Sequence, residues 1–250
     1  MKKSFLLLVV LIGFTTAAIA QDVFITEDGT KKNSKGSVYR QENRFDIGVE
    51  GSPSLIFLWG NDIFRDFHKP TIGFSVGLFF QFNFPKIISL RTNIAYERKG
   101  TIVKEITTTT IDQPIDNVRM RTNDDYLIFP LLVRATFGKK IQFFVNVGPY
   151  FGYLIKQTYV TKFKKDNIPT TERHDGTSTF KRFDTGISTG LGLSVPIKTK
   201  FAFSFEVRNN LGLYNVSKFP VINNGTIKTN STNFLVGFTY KLGQRTSIIK

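Results

Sequence analysis

The chain has 250 residues, with 34 Lys and Arg against 19 Asp and Glu, a formal charge of +15 and no cysteine. The missing cysteine excludes a disulfide framework, a thiolate metal site and a lipid-anchored N-terminus. The charge does not mark a nucleic-acid binder, because the basic residues are scattered rather than gathered into one stripe, and the N-terminus reads as an export signal.

In chain order, Lys2 and Lys3 precede a short apolar run over 4–14, and Ala18-Ile19-Ala20 ends it. This pattern predicts a signal peptide over 1–20, cut between Ala20 and Gln21. Residues 21–44 have no clear period and many charges and glycines, and are expected to form a flexible periplasmic leader, with a short extra strand as the alternative. Strict alternation begins after them. From 72 to 84 one face carries Ile72, Phe74, Val76, Leu78, Phe80, Phe82 and Phe84, and the other Gly73, Ser75, Gly77, Phe79, Gln81 and Asn83. Period two means strand. The same rule, less strict in places, predicts strands near 45–55, 72–84, 87–99, 126–137, 142–158, 180–195, 201–215 and 232–242. Short turns (83–86, 138–141, 196–200) alternate with long polar loops (56–70, 100–125, 159–179, 216–231). Eight strands joined in this way predict an all-β, antiparallel transmembrane β-barrel of the outer-membrane type over 45–243, with a tail at 244–250.

A soluble eight-stranded barrel would alternate too, but it needs a charged exterior and a bulky apolar lining. Here the less apolar face is mostly Gly, Ser, Asn and Thr, which suits the inside of a narrow tube. The other face carries many of the 26 Phe, which suits lipid. Tyr96, Tyr126, Tyr153, Tyr159, Tyr214 and Trp59 fall near loop ends and are expected in an aromatic girdle. Pro130 and Pro149 each remove a ladder donor, so bulges are expected there.

Two stretches, GFSVG at 73–77 and GISTG at 186–190, match the serine-hydrolase pattern G-x-S-x-G. That elbow needs a strand, a sharp turn and a helix. Both copies instead lie within period-two segments, so Ser75 and Ser188 are expected to be small wall residues beside their glycines. The inward positions also collect Asp46, Glu50, Arg91, Glu97, Arg134, Asp184, Glu206 and Arg208, expected to pair as a structural charge network filling the lumen. An ion path or gated pore is the functional alternative for these charges. His68 and His174 are the only histidines and fall in expected outer loops, which supports neither a catalytic site nor a metal site. No cofactor is expected. Loop cations (Lys162, Lys164, Lys165, Arg173, Lys218, Lys228) suggest contact with lipopolysaccharide phosphates.

Five stretches resemble the outer-membrane beta-barrel family that includes PorT-like proteins: SLRTNIAYERKG (89–100), DYLIFPLLVRATFG (125–138), VGPYFGYLI (147–155), FDTGISTGLGLSV (183–195) and VRNNLGLYN (207–215). The Tyr-x-x-x-Pro-Leu-Leu, Gly-Pro-x-x-Gly and Asp-x-Gly-x-x-x-Gly strands follow in the family's order, the last through Asp184, Gly186 and Gly190. The resemblance implies an eight-stranded barrel in the outer membrane of a Gram-negative cell and makes Pro130 and Pro149 ordinary. It implies no catalytic residue. The expected protein is a non-enzymatic monomer with a structural or accessory role in envelope integrity, adhesion or protein secretion. Its expected partners are outer-membrane lipid and envelope or secretion proteins; a narrow channel is the rival reading.

Overall fold

The computed structural model describes residues 30–32, 38–61, 68–84, 87–110, 113–138, 140–165, 168–197, 200–221 and 224–249. The signal peptide and the Ala20–Gln21 junction lie outside them. The strands are β1 (Thr30–Lys32), β2 (Val38–Trp59), β3 (His68–Lys69), β4 (Thr71–Asn83), β5 (Ile88–Thr110) and β6 (Gln113–Phe137), then β7 (Gln142–Lys165), β8 (Ile168–Asp175), β9 (Phe183–Ile197), β10 (Phe201–Gly212) and β11 (Lys228–Ile249). One compact unit covers Asn43–Gly243 and the other Met1–Glu42 with Gln244–Lys250. Within the latter, Thr30–Lys32 pairs antiparallel with Val38–Arg40, so part of the expected leader is strand. β11 likewise runs on into the expected tail, to Ile249.

In the larger unit the strands run β2–β4–β5–β6–β7–β9–β10–β11, and β11 pairs back with β2. The ring is closed and has eight strands. Closure matters because an open edge would leave N–H and C=O groups unpaired in hydrocarbon, at several kcal/mol each. Alternation sorts the side chains as the pattern requires. Ile72, Phe74, Val76, Leu78 and Phe80 of β4 are exposed on the outer wall, as are Phe143, Val145 and Val147 of β7 and Phe234, Val236 and Phe238 of β11. The opposite faces of the same strands hold Ser75, Phe79, Asn146 and Asn233, all buried.

Three expectations are corrected. The first concerns the loops expected at 100–125 and 159–179, where β5 and β6 continue as one long hairpin and β7 folds back on β8. These segments are polar but rich in Thr, Val and Ile, which favour a pleated backbone even without a buried face. The second is the pair of expected proline bulges. The β6–β7 ladder is interrupted between Pro130↔Tyr150 and Val133↔Val147, around Pro149, and resumes in the same register. The bulge in this pair lies instead between Asp125 and Tyr126. A missing donor therefore costs ladder pairs without adding a residue. Gly148 keeps the strands close there, since a Cβ on it would fall 1.9 Å from the Leu131 carbonyl oxygen. Third, Tyr126 is not a girdle residue. It lies fully buried in the lumen, on the same face of β6 as Arg134.

Candidate functional site: the filled lumen

All eight inward charges read from the alternation are buried, none more than 7% exposed. Six of them concentrate in the half of the lumen nearer the short turns. Glu50 of β2 accepts from Arg91 Nη2 and Asn93 Nδ2 of β5, and from Arg208 Nη1 of β10 at 2.9 Å. Glu206 of β10 accepts from Arg208 Nε at 2.6 Å, Arg134 Nη2 at 3.0 Å and Asn146 Nδ2 at 2.8 Å. Arg134 Nε donates in turn to Asn146 Oδ1 at 2.8 Å. Arg208 thus joins two carboxylates held by different strands, and the network draws in five of the eight walls. Asp46 stands nearest the short-turn end, where it accepts from Asn83 Nδ2 at 2.8 Å and Gln81 Nε2 at 3.4 Å.

The cations also rest on aromatic rings. Arg91 lies 3.6 Å above the Phe79 ring and Arg134 3.7 Å above Phe144. Each ring lies across a facing glycine: Phe79 opposite Gly48, Phe144 opposite Gly192. A Cβ on Gly48 would fall 2.4 Å from Phe79, and one on Gly192 would fall 2.6 Å from Phe144. Tyr150 lies against Gly186 in the same way. This explains the glycines around GISTG: they seat rings from the neighbouring strand. Ser188 itself is fully buried inside β9, opposite Gly148 and Asn210, with no turn or helix beside it.

Toward the long-loop end, Asp184 of β9 pairs with Lys99 Nζ at 3.1 Å and accepts from Thr229 Oγ1 at 2.6 Å and Tyr150 OH at 3.2 Å. Lys99 sits between the rings of Tyr126 and Tyr150, 5.1 and 5.2 Å away. Asp124 accepts from Gln157 Nε2 at 2.9 Å. Glu97 stands apart from both groups, held by the amides of Asn233 at 3.4 Å and Asn210 at 3.5 Å. Lys99, Asp124, Asn93, Asn146, Gln157 and Tyr150 were missed in the sequence. Lys99 was legible, because it shares the parity of Arg91 and Glu97 along β5. Asp124 shares that of Arg134 along β6, but the assumed loop boundary at 125 hid it.

Between the two halves a cavity of about 10 Å³ lies among Glu50, Ser75, Glu97, Arg208, Asn210 and Asn233, room for one water. The outer mouth is covered by the segments after β8 and β10. Val216 N donates to Ile227 O at 2.9 Å, Phe180 bridges to Ser217, and Gly176 N reaches Gln157 O at 3.1 Å. Asp175 Oδ1 accepts from Thr177 N at 2.8 Å, and its hydrogen bonds from Thr177 hold its carboxyl below the usual carboxylate range. Val216, within this cover, and Ile56 of β2 are fully buried. His174 is exposed and meets Glu172 at 3.4 Å, while His68 pairs on a different strand, opposite Val103. Among the described residues no group of His, Cys, Asp and Glu has the arrangement of a metal site.

A family model described as "Outer membrane protein beta-barrel domain" matches residues 24–218. The chain belongs to that family. Family membership and the closed eight-stranded ring together make it an outer-membrane β-barrel. No curated protein matches it. Among solved structures it is similar to Neisserial surface protein A (10% identity, TM-score 0.44, 79% of this chain and 97% of that one). It is also similar to Ail, the attachment invasion locus protein of Yersinia pestis (10%, 0.41, 80% and 99%), and to OprG from Pseudomonas aeruginosa (12%, 0.42, 80% and 97%).

Proposed function

We propose that this barrel is a closed, non-enzymatic element of the outer membrane, exported by its N-terminal signal. Its role is structural or accessory: envelope integrity, adhesion or support of protein secretion, exerted through its outer segments and the lipid around it. The observation that carries the reading is Arg208 joining Glu50 and Glu206 across the lumen while Arg91 and Arg134 hold the same carboxylates. A permeating ion would have to separate buried pairs, each of which costs roughly 3–5 kcal/mol to break. Ser75 and Ser188 both lie within strands, with neither the turn nor the helix that a hydrolase elbow needs, and among the described residues Ser188 Oγ has no hydrogen-bond partner. The ring leaves no free edge to pair with a second copy, which favours a monomer.

Single-channel recording of the purified chain in planar bilayers tests the closed lumen. Baselines without stable steps are expected. A steady ohmic current in 1 M salt, about seven times physiological ionic strength, would replace this reading with the narrow channel.

A further inference from the structure

The outer end of the lipid-facing wall carries two kinds of rim. On the β5–β6 side Arg98 is matched: its Nε meets Asp125 Oδ1 at 2.7 Å and its Nη2 meets Oδ2 at 3.2 Å. On the arc from β9 through β10 and β11 to β2 three lysines are not. Lys181 Nζ lies 4.7 Å from the Tyr214 ring, and Lys228 Nζ lies 4.7 Å from the Trp59 ring. Lys218, exposed in the segment between β10 and β11, is tied to this arc by its backbone N–H on Thr179 O at 3.2 Å. Among the described residues none of these three ammonium groups has a carboxylate within ion-pair distance, and the one acidic residue after Asp184, Glu206, is buried in the lumen.

Unmatched cations on a solvated loop would be ordinary. These are placed differently. Tyr214 is 44% exposed and sits directly after the outward apolar Leu213, and Trp59 follows Phe57 on the same outward face of β2. Phe183 of β9 stands near the same level of the wall, while on β11 the apolar row ends deeper, at Phe234 opposite Val207. The two rings therefore stand at the boundary between acyl chains and headgroups, where tyrosine and tryptophan settle. An ammonium stacked on each ring is held at the depth of lipid phosphates, and such cations attract anionic headgroups. A soluble polyanion would reach the exposed Lys218 but not ring-stacked groups facing the bilayer.

We propose that this arc is a binding site for a phosphorylated glycolipid of the outer leaflet, with Lys181, Lys218 and Lys228 receiving its phosphates and Tyr214 and Trp59 packing beside its sugar and upper acyl region. The inference deepens the lipid contact in the proposed function and rests on the long-loop end facing outward. It is independent of whether the lumen is closed.

Trp59 is the only tryptophan in the chain, so its fluorescence reports on the site directly. The full chain in zwitterionic micelles is titrated with bis-phosphorylated lipid A, dephosphorylated lipid A, phosphatidylglycerol and a soluble sulfated oligosaccharide. Bis-phosphorylated lipid A is expected to give a saturable change in Trp59 emission at the lowest concentration. Each Lys→Gln change at 181, 218 or 228 should weaken it by roughly fivefold, and all three together by about a hundredfold. Arg98→Gln, on the matched side, should leave it unchanged. Lys→Arg at the three positions should preserve binding, which guards against a folding defect in the triple Gln variant. An equal response to dephosphorylated lipid A, or binding that survives the triple change, would overturn the site. Tighter binding of phosphatidylglycerol would overturn the outer-leaflet assignment, and tighter binding of the sulfated oligosaccharide would overturn the lipid. None of these results depends on conductance, so a leaky lumen and a failed lipid site are told apart.

Discussion

Glu50 is the position at which the account of the lumen is most exposed to test. Its carboxylate, in a residue 5% exposed, takes Arg91, Asn93 and Arg208 at once. Arg208 keeps Glu206 when Glu50 is removed, but Arg91 has no other carboxylate within ion-pair distance among the described residues. Glu50→Ala therefore strands one guanidinium in a dry interior, at a cost of about 3–5 kcal/mol. Glu50→Gln keeps an acceptor and loses the charge, so it should cost less, on the order of 1.5–3 kcal/mol. Adding Arg91→Met to Glu50→Ala should recover most of the loss, because a buried pair replaced by apolar side chains is close to neutral. Urea unfolding in lipid vesicles, followed by Trp59 fluorescence, measures all three. If Glu50→Ala lies within about 1 kcal/mol of the parent, the lumen is wet enough to screen the orphaned charge, and the plug argument fails.

Two further substitutions probe the wall. Leu191 is 65% exposed on the outer face of β9, so Leu191→Arg should cost about 2–4 kcal/mol in vesicles if that face meets acyl chains near mid-depth. A soluble barrel would tolerate the change. Gly192→Val should push Phe144 out from beneath Arg134 and cost roughly 1–3 kcal/mol by overpacking, read from the same unfolding curves.

Much of this molecule is legible in its sequence because a barrel wall obeys one short-range rule. Parity along β4 and β9 places Ser75, Ser188 and the glycines inward, and the same parity finds the eight inward charges. Parity does not say who pairs with whom. Arg208 bridges Glu50, 158 positions away, only because β10 and β2 flank β11 in the closed ring, a relation that no local pattern carries. Glu97, which looks equivalent to its neighbours in sequence, meets two amides and no cation. The strand ends were misjudged where polarity was used as the criterion. Thr-rich segments beyond residue 100 keep pairing after the apolar row has stopped, and this concealed Asp124. Tyr126 was placed at the surface because a tyrosine near a loop suggests a girdle, although its parity with Arg134 points inward.

The central claim is that phenylalanine-rich faces meet lipid while the opposite faces enclose a dry, filled interior. The chain has no native cysteine, so single Cys substitutions at residues 186–192 of β9 can each carry a spin label in vesicles. Collision rates with oxygen, which favours lipid, and with a water-soluble nickel complex then report both sides of the wall at once. High oxygen contact at 187, 189 and 191, with little contact of either kind at 186, 188, 190 and 192, is the expected result. Strong nickel contact at the even positions would mean an open aqueous pore, and strong nickel contact at the odd positions would mean that the wall is inside out.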